Sequence, residues 1–110
     1  MIEHRVASTG DVPEGSGIAV DVGDRRIAIF RYRDEFFALD ETCPHRGAPL
    51  HEGSITDGIL MCPWHQWRFE LESGCSPVNP LSRVNRYPVR VVNDAIWIAI
   101  EVFGPRRCAG

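Results

Sequence analysis

The chain alternates short apolar runs with polar turns and shows no convincing three-to-four-residue apolar repeat of an amphipathic helix. The runs are rich in β-branched and aromatic residues, which favour strands, and Gly and Pro interrupt the longer windows. The pattern therefore predicts an all-β fold built from antiparallel strands. The predicted strands cover residues 17–22, 26–32, 35–39, 58–61, 66–71, 86–92 and 95–100.

Dipeptides suited to tight hairpin turns join several of these runs. They are Gly23-Asp24, Arg33-Asp34 and Asn93-Asp94. Pro88 lies inside the run 86–92, and because proline cannot donate a hydrogen bond to a strand ladder, it predicts an edge position or a bulge there. Neighbouring strands are thus expected to pair as a meander.

The alternation weakens over residues 41–82, where Pro and Gly accumulate. This segment is predicted to be a loop-rich insert mounted on a β base that the rest of the chain forms. A length of 110 residues with 44% hydrophobic composition suits one compact domain, 1–110. Residues 104–110 are predicted to be a flexible tail.

Charge and apolar content exclude several classes of function. The formal net charge is −3 and all 12 basic residues are Arg, which argues against a nucleic-acid partner. No apolar stretch reaches the roughly 20 residues that span a bilayer, and the N-terminus lacks a secretory signal, so we expect a cytoplasmic protein without membrane contact. Four cysteines in such a chain favour metal or redox chemistry over a disulfide framework.

Two short motifs, Cys-Pro-His and Cys-Pro-Trp-His, are separated by sixteen residues, and each offers one thiolate and one imidazole. The two cysteines could hold one iron of a 2Fe-2S cluster and the two histidines the other. The same residues could also form a closed tetrahedral zinc site, although zinc fingers usually pair Cys with Cys and His with His. The candidate ligands are Cys43, His45, Cys62 and His65.

The spacing and the residues around it resemble the signature of the Rieske iron-sulfur family. Segments 43–50 and 62–69 are similar to the cluster loops of ferredoxins and oxygenases in bacterial ring-hydroxylating systems, and the similarity to the small ferredoxins extends over nearly the whole chain. The resemblance implies the Rieske fold, a β-sandwich base with a loop-rich cluster-binding subdomain, and one Rieske-type 2Fe-2S cluster. It also implies that the cluster is surrounded by Gly47, Trp64, Gln66, Trp67, Phe69 and Pro77.

Departures from the family pattern concern the reduction potential. High-potential members carry a bracing disulfide where this chain has Ala48 and Trp64, and hydroxyl donors where it has Trp67 and Phe69. The expected potential is therefore at the low end of the Rieske range, on the order of −150 mV. Gln66 stands where the oxygenase-type loop commonly has Gly, and nothing in the sequence explains it.

The resemblance implies a carrier and not an enzyme. It would pass one electron from a flavoprotein NAD(P)H-dependent reductase to a terminal ring-hydroxylating oxygenase, docking transiently at a tip formed by His45 and His65. The free protein is expected to be a monomer. A mononuclear iron site would need two His and a carboxylate, and only His4 and His51 remain, of which His51 is interpreted as a surface histidine.

The alternative is the small Rieske-like subunit of an NAD(P)H nitrite reductase. The complete ligand set favours the carrier, since many such subunits lack it. The substrate of the oxygenase, the identity of the reductase and any role of Cys75 or Cys108 are not determined by the sequence.

Overall fold

The computed structural model describes residues 3–43, 47–63, 67–77 and 83–100, and its regular elements in these ranges are strands and two short 3-10 turns. The turns cover Thr9–Asp11 and Leu50–Glu52. No helix in the described ranges is long and apolar enough to cross a membrane. The strands are β1 (Glu3–Ser8), β2 (Gly17–Val22), β3 (Arg25–Tyr32), β4 (Glu35–Asp40), β5 (Ser54–Thr56), β6 (Ile59–Met61), β7 (Arg68–Glu70), β8 (Arg86–Tyr87), β9 (Val89–Val92) and β10 (Ala95–Ala99).

The strands form three antiparallel sheets, which confirms the predicted all-β class. The first sheet has the order β1-β10-β9 and the second the order β2-β3-β4-β8. The third sheet, β5-β6-β7, lies within the segment that was predicted to be a loop-rich insert. The predicted flexible tail, 104–110, is outside the described residues.

Strand β3 is apolar at four successive positions and is buried on both faces. Side chains alternate between the two faces of a strand, so the run supplies two cores at once. Ile27 and Ile29 belong to a buried cluster shared with β10, whereas Ala28 and Phe30 belong to one shared with β6 and β7. The second sheet is therefore the middle layer, with one core on each side.

The predicted strand 86–92 is two strands that belong to different sheets, so the prediction of one strand with an edge position or a bulge at Pro88 is wrong. β8 pairs with β4, and β9 pairs with β10. Pro88 lies between them, and its carbonyl accepts a hydrogen bond of 3.1 Å from the Ala99 backbone N–H. Because proline offers no N–H of its own, it suits the point where the chain leaves one ladder for the next.

Two strands were not predicted from the sequence. β1 begins with the polar residues Glu3, His4 and Arg5, all exposed, so it carries no clear apolar alternation. β5 is three residues long and lies in a region of low apolar content. Both are strands because of their partners, β10 and β6.

All three predicted dipeptides close hairpins, and two of them form the same type of turn. Arg33 and Asp34 have φ angles of 52° and 60°, and Asn93 and Asp94 have 49° and 64°, which is the paired left-handed geometry of type I′ turns. Glu14 stabilises the first of these turns because its carboxylate accepts the backbone N–H groups of residues 33 and 34, at 2.8 and 2.9 Å.

Candidate metal centre

Cys43 and Cys62 are each placed by a loop that begins at the end of a strand. Cys43 follows the end of β4, and its backbone N–H donates to the carbonyl of Ala48 at 3.0 Å. Cys62 follows β6, and its N–H donates to the carbonyl of Trp67 at 2.6 Å. Each bond joins a cysteine to the residue five positions later, so the first loop (43–48) and the second loop (62–67) are closed in the same way.

Both cysteines are buried in the same apolar cluster. Cys43 is 2% exposed and Cys62 is 1% exposed, and the cluster they share includes Leu60 and Phe69. Both are thiols and not half-cystines. Two thiols brought into one apolar cluster by matched loops fit a group that binds thiolates away from water, as an iron-sulfur cluster does.

The predicted histidine ligands, His45 and His65, lie outside the described residues, as do Trp64 and Gln66. Within the described ranges, no three or more His, Cys, Asp or Glu side chains converge to hold a metal ion. The ligand set of two cysteines and two histidines therefore stays a prediction.

Other residues predicted around the cluster occupy different environments. Gly47 has a φ of 71° and its N–H donates to the Cys43 carbonyl at 2.9 Å, so a side chain there would be strained. Phe69 is fully buried in the apolar side-chain cluster that contains the two cysteines, and the partly exposed Trp67 packs against the same side chains. Pro77 is exposed, and its proposed covering role is a prediction.

A buried carboxylate beside the first loop was missed by the sequence interpretation. Glu41 is 4% exposed, and one of its oxygens accepts the backbone N–H of His51 at 2.8 Å. The other oxygen forms a hydrogen bond with Nδ1 of the same His51. His51 was interpreted as a surface residue, but its side chain is 29% exposed and bonded to Glu41. A clue available from the sequence was the position of Glu41, two residues before a candidate ligand.

A second polar network holds the end of β4. The Tyr87 hydroxyl donates to Asp40 Oδ1 at 2.6 Å and accepts from Arg25 Nη1 at 3.2 Å, while the Asn85 N–H donates to Asp40 Oδ2 at 3.0 Å. Burial raises the pKa of Tyr87 above its ordinary value of 10.0; the hydrogen bond to Asp40 also raises it, whereas the bond from Arg25 lowers it. The network fixes the strand from which the first loop departs.

Comparison with known proteins identifies one family and several relatives of similar length. The family model described as Rieske [2Fe-2S] domain matches residues 3–88. The ferredoxin component of naphthalene 1,2-dioxygenase/salicylate 5-hydroxylase systems of Ralstonia sp is 31% identical, over 86% of this chain and 92% of that protein. The anthranilate 1,2-dioxygenase ferredoxin subunit of Burkholderia cepacia is 33% identical, over 88% of this chain and 91% of that protein.

Solved structures agree with this assignment. The ferredoxin of carbazole 1,9a-dioxygenase from Nocardioides aromaticivorans IC177 has a TM-score of 0.84 and 27% identity, covering 92% of this chain and 100% of that one. A chain from the complex of reduced oxygenase and oxidised ferredoxin in carbazole 1,9a-dioxygenase has a TM-score of 0.81 and 28% identity, covering 91% and 94%. A putative NADH-dependent nitrite reductase small subunit from Mycobacterium tuberculosis has a TM-score of 0.85 over 93% and 97%, but its 24% identity shows the fold alone.

Proposed function

Because this chain belongs to the Rieske [2Fe-2S] domain family, we propose that it is a ferredoxin, a one-electron carrier that supplies a terminal ring-hydroxylating oxygenase. One observation carries the proposal. The two relatives described above are ferredoxin components of oxygenase systems, and the chain covers 92% and 91% of their lengths. The chain accordingly binds one Rieske-type 2Fe-2S cluster and acts as a carrier, not as the catalytic component.

The four ligands of the cluster are Cys43 and Cys62 on one iron and His45 and His65 on the other. The buried thiols on two identically closed loops support the cysteine half of this assignment. The cluster supplies one-electron chemistry, and replacing two thiolates by neutral imidazoles removes two negative charges, which raises its potential relative to an all-cysteine ferredoxin. Segment 41–82 acts as the cluster-binding insert of a single domain, with the first two sheets as its base.

The protein's own side chains exclude water from the cluster site and keep its reduction potential low for a Rieske centre. Phe69 and Ala48 are fully buried among the same apolar side chains as the two cysteines, so they exclude water from the cysteine side of the site. Neither Trp67 nor Phe69 carries a hydroxyl that could donate a hydrogen bond to sulfur. The expected potential is on the order of −150 mV.

The partners are a flavoprotein NAD(P)H-dependent reductase and the terminal oxygenase, both docking at the His45/His65 tip. A solved complex of a related ferredoxin with its oxygenase supports the second partnership. A carrier must release each partner, so the contact is small and transient, as in other redox encounters. The free carrier is a cytoplasmic monomer.

The test is electron paramagnetic resonance of the dithionite-reduced protein, with iron and sulfide analysis. We expect about two irons and two sulfides per chain and the signal of a mixed Cys/His cluster, whose average g value is below that of an all-cysteine cluster. Electron delivery is then measured with a reductase and a terminal oxygenase from a ring-hydroxylating system. A colourless protein that binds zinc would rule out electron transfer.

The nitrite reductase small subunit is the second candidate because such a subunit shares the fold at a TM-score of 0.85. Association state separates the two functions. A carrier elutes as a monomer and turns over with a separate reductase, whereas a subunit copurifies with a large sirohaem enzyme. Stable copurification with such an enzyme would replace the carrier assignment.

A further inference from the structure

The first loop leaves β4 and returns to the β base through two anchored segments. On the outgoing side, the Glu41 N–H donates to the Arg26 carbonyl at 3.1 Å, which continues the β3–β4 pairing by one residue. On the returning side, Leu50 is fully buried and its N–H donates to the Glu41 carbonyl at 2.8 Å. Glu41 is therefore the residue at which the two ends of the loop meet.

The returning segment also packs closely on β2. A Cβ built on Gly17 would lie 3.2 Å from the His51 carbonyl oxygen and 2.6 Å from the Phe30 ring. No side chain other than hydrogen fits between β2 and the turn that contains His51 without a shift. The backbone of His51 thus packs directly against β2.

The carboxylate of Glu41 uses both oxygens on His51. One oxygen accepts the backbone N–H and the other bonds the ring at Nδ1, while Glu41 itself is only 4% exposed. A buried carboxylate oxygen that loses its hydrogen-bond donor incurs a desolvation penalty. A water molecule that reaches the oxygen and donates to it removes this penalty. Water could reach this oxygen if the base of the first loop opened.

We infer that Glu41 and His51 are positioning residues that lock the base of the first loop and thereby set how rigidly Cys43 holds the 2Fe-2S cluster. The inference rests on the proposed ligand set. Cys43 is two residues from Glu41, and its N–H and carbonyl already bond within the loop, so movement at Glu41 is transmitted to the thiolate through very few torsions. This role requires no contact between either side chain and the 2Fe-2S cluster.

The test compares His51→Ala with His51→Asn in the cluster-loaded protein. Ala removes the ring and keeps the backbone bond, whereas the Asn amide nitrogen can donate from the place of Nδ1. We expect the Ala variant to lose its cluster to an iron chelator on the order of tenfold faster, as loss of a hydrogen bond to a charged group predicts, and its EPR lines to broaden. The Asn variant should retain the wild-type rate and line width.

A matched control separates local loosening from general instability. Ile98→Val removes one methylene from the other core, on the far side of the middle sheet, and should lower the unfolding midpoint without broadening the EPR lines. Equal chelation rates and line widths in His51→Ala and wild type would overturn the inference, as would equal acceleration in the Ala and Asn variants. Wild-type protein that assembles no 2Fe-2S cluster would instead refute the proposed function.

Should the Ala variant fail to assemble, Glu41→Gln provides a second comparison. Its amide keeps one oxygen for the backbone N–H and places a donor opposite Nδ1. We expect it to assemble the cluster and release it at close to the wild-type rate. A Gln variant that releases the cluster as fast as Glu41→Ala would count against a hydrogen-bonded lock.

Discussion

Replacing Tyr87 with Phe removes one hydroxyl from the boundary between β4 and β8. In the folded protein this hydroxyl donates to Asp40 Oδ1 at 2.6 Å and accepts from Arg25 Nη1 at 3.2 Å. Tyr87 is 2% exposed, so its ring stays packed in the substituted protein and water does not readily replace the lost donor. The substitution removes both hydrogen bonds, and the one to the Asp40 carboxylate dominates the loss because the partly exposed Arg25 can donate to water instead.

The magnitude follows from the type of acceptor. Hydrogen bonds to charged groups contribute about 1.5–3 kcal/mol, and Asp40 keeps its second donor, the Asn85 N–H, so the loss should lie in this range. For a domain near 100 residues, each kcal/mol shifts the thermal midpoint by about 4 °C or more. We expect Tyr87→Phe to unfold about 6–12 °C below the wild type at pH 8 when both are heated at the same rate.

The stability difference should depend on pH in one direction. Because the pKa of Tyr87 is raised in the folded state, the unfolded chain loses this proton first as the pH rises above 10.0, and the unfolded state then binds fewer protons. The contribution of Tyr87 is therefore fully present below pH 10 and declines above it. The chain contains no Lys, so the side-chain type that most often titrates in this range is absent.

The assay is circular dichroism melting of both proteins between pH 8 and 11, with Tyr32→Phe as the matched control. The Tyr32 ring lies under the Arg33 guanidinium at 5.1 Å, and its hydroxyl makes no hydrogen bond within the described part of the chain. Its loss should change the midpoint little. A Tyr87→Phe midpoint equal to that of the control, or a gap from wild type that widens above pH 10, would refute this reasoning.

Three further substitutions test the site and the backbone. His45→Cys should lower the reduction potential or prevent cluster assembly, and an unchanged Rieske spectrum would contradict the ligand assignment. Gly74→Ala should lower the free energy of unfolding by about 1–3 kcal/mol through backbone strain alone, since φ is +78° at this position. The new Cβ would also lie 2.4 Å from the Val84 carbonyl oxygen. The measurement is urea unfolding, with Gly10→Ala as the control because the space around Gly10 is open. Asp94→Gly should raise the free energy of unfolding by about 0.5–1 kcal/mol, and with it the thermal midpoint, because φ is 64° at this position and glycine adopts such an angle without strain. A lowered midpoint would count against the type I′ assignment.

Local pattern was sufficient for much of the architecture. The alternation in 17–22 and 35–39 gave strands whose observed bounds differ by at most one residue, and Asn93-Asp94 gave the observed tight turn. These features depend on a few consecutive residues, whose side chains point to alternate faces or whose φ angles are set locally. The candidate ligands could be identified for the same reason, since each motif places its Cys and His within three residues.

Contacts between residues far apart in the chain could not be predicted from local sequence pattern. The sequence indicated that 86–92 is extended but not that Pro88 divides it between two sheets, because that depends on which ladder each half can reach. Glu41 and His51 are ten positions apart, and they meet only when the first loop closes on the base. Asp40 and Tyr87 are 47 positions apart, and their pairing requires β8 to add to the edge of β4.

The sequence by itself thus determined the all-β class and the local turns and indicated the four candidate ligands, since all of these depend on short segments of the chain. The tertiary structure decided that the second sheet is a middle layer between two cores and that a buried carboxylate joins the ends of the first loop. Burial and long-range strand pairing depend on the free energy of the whole packed chain, because each strand could pair with several others. The observed pairing is the combination that gives the lowest total free energy.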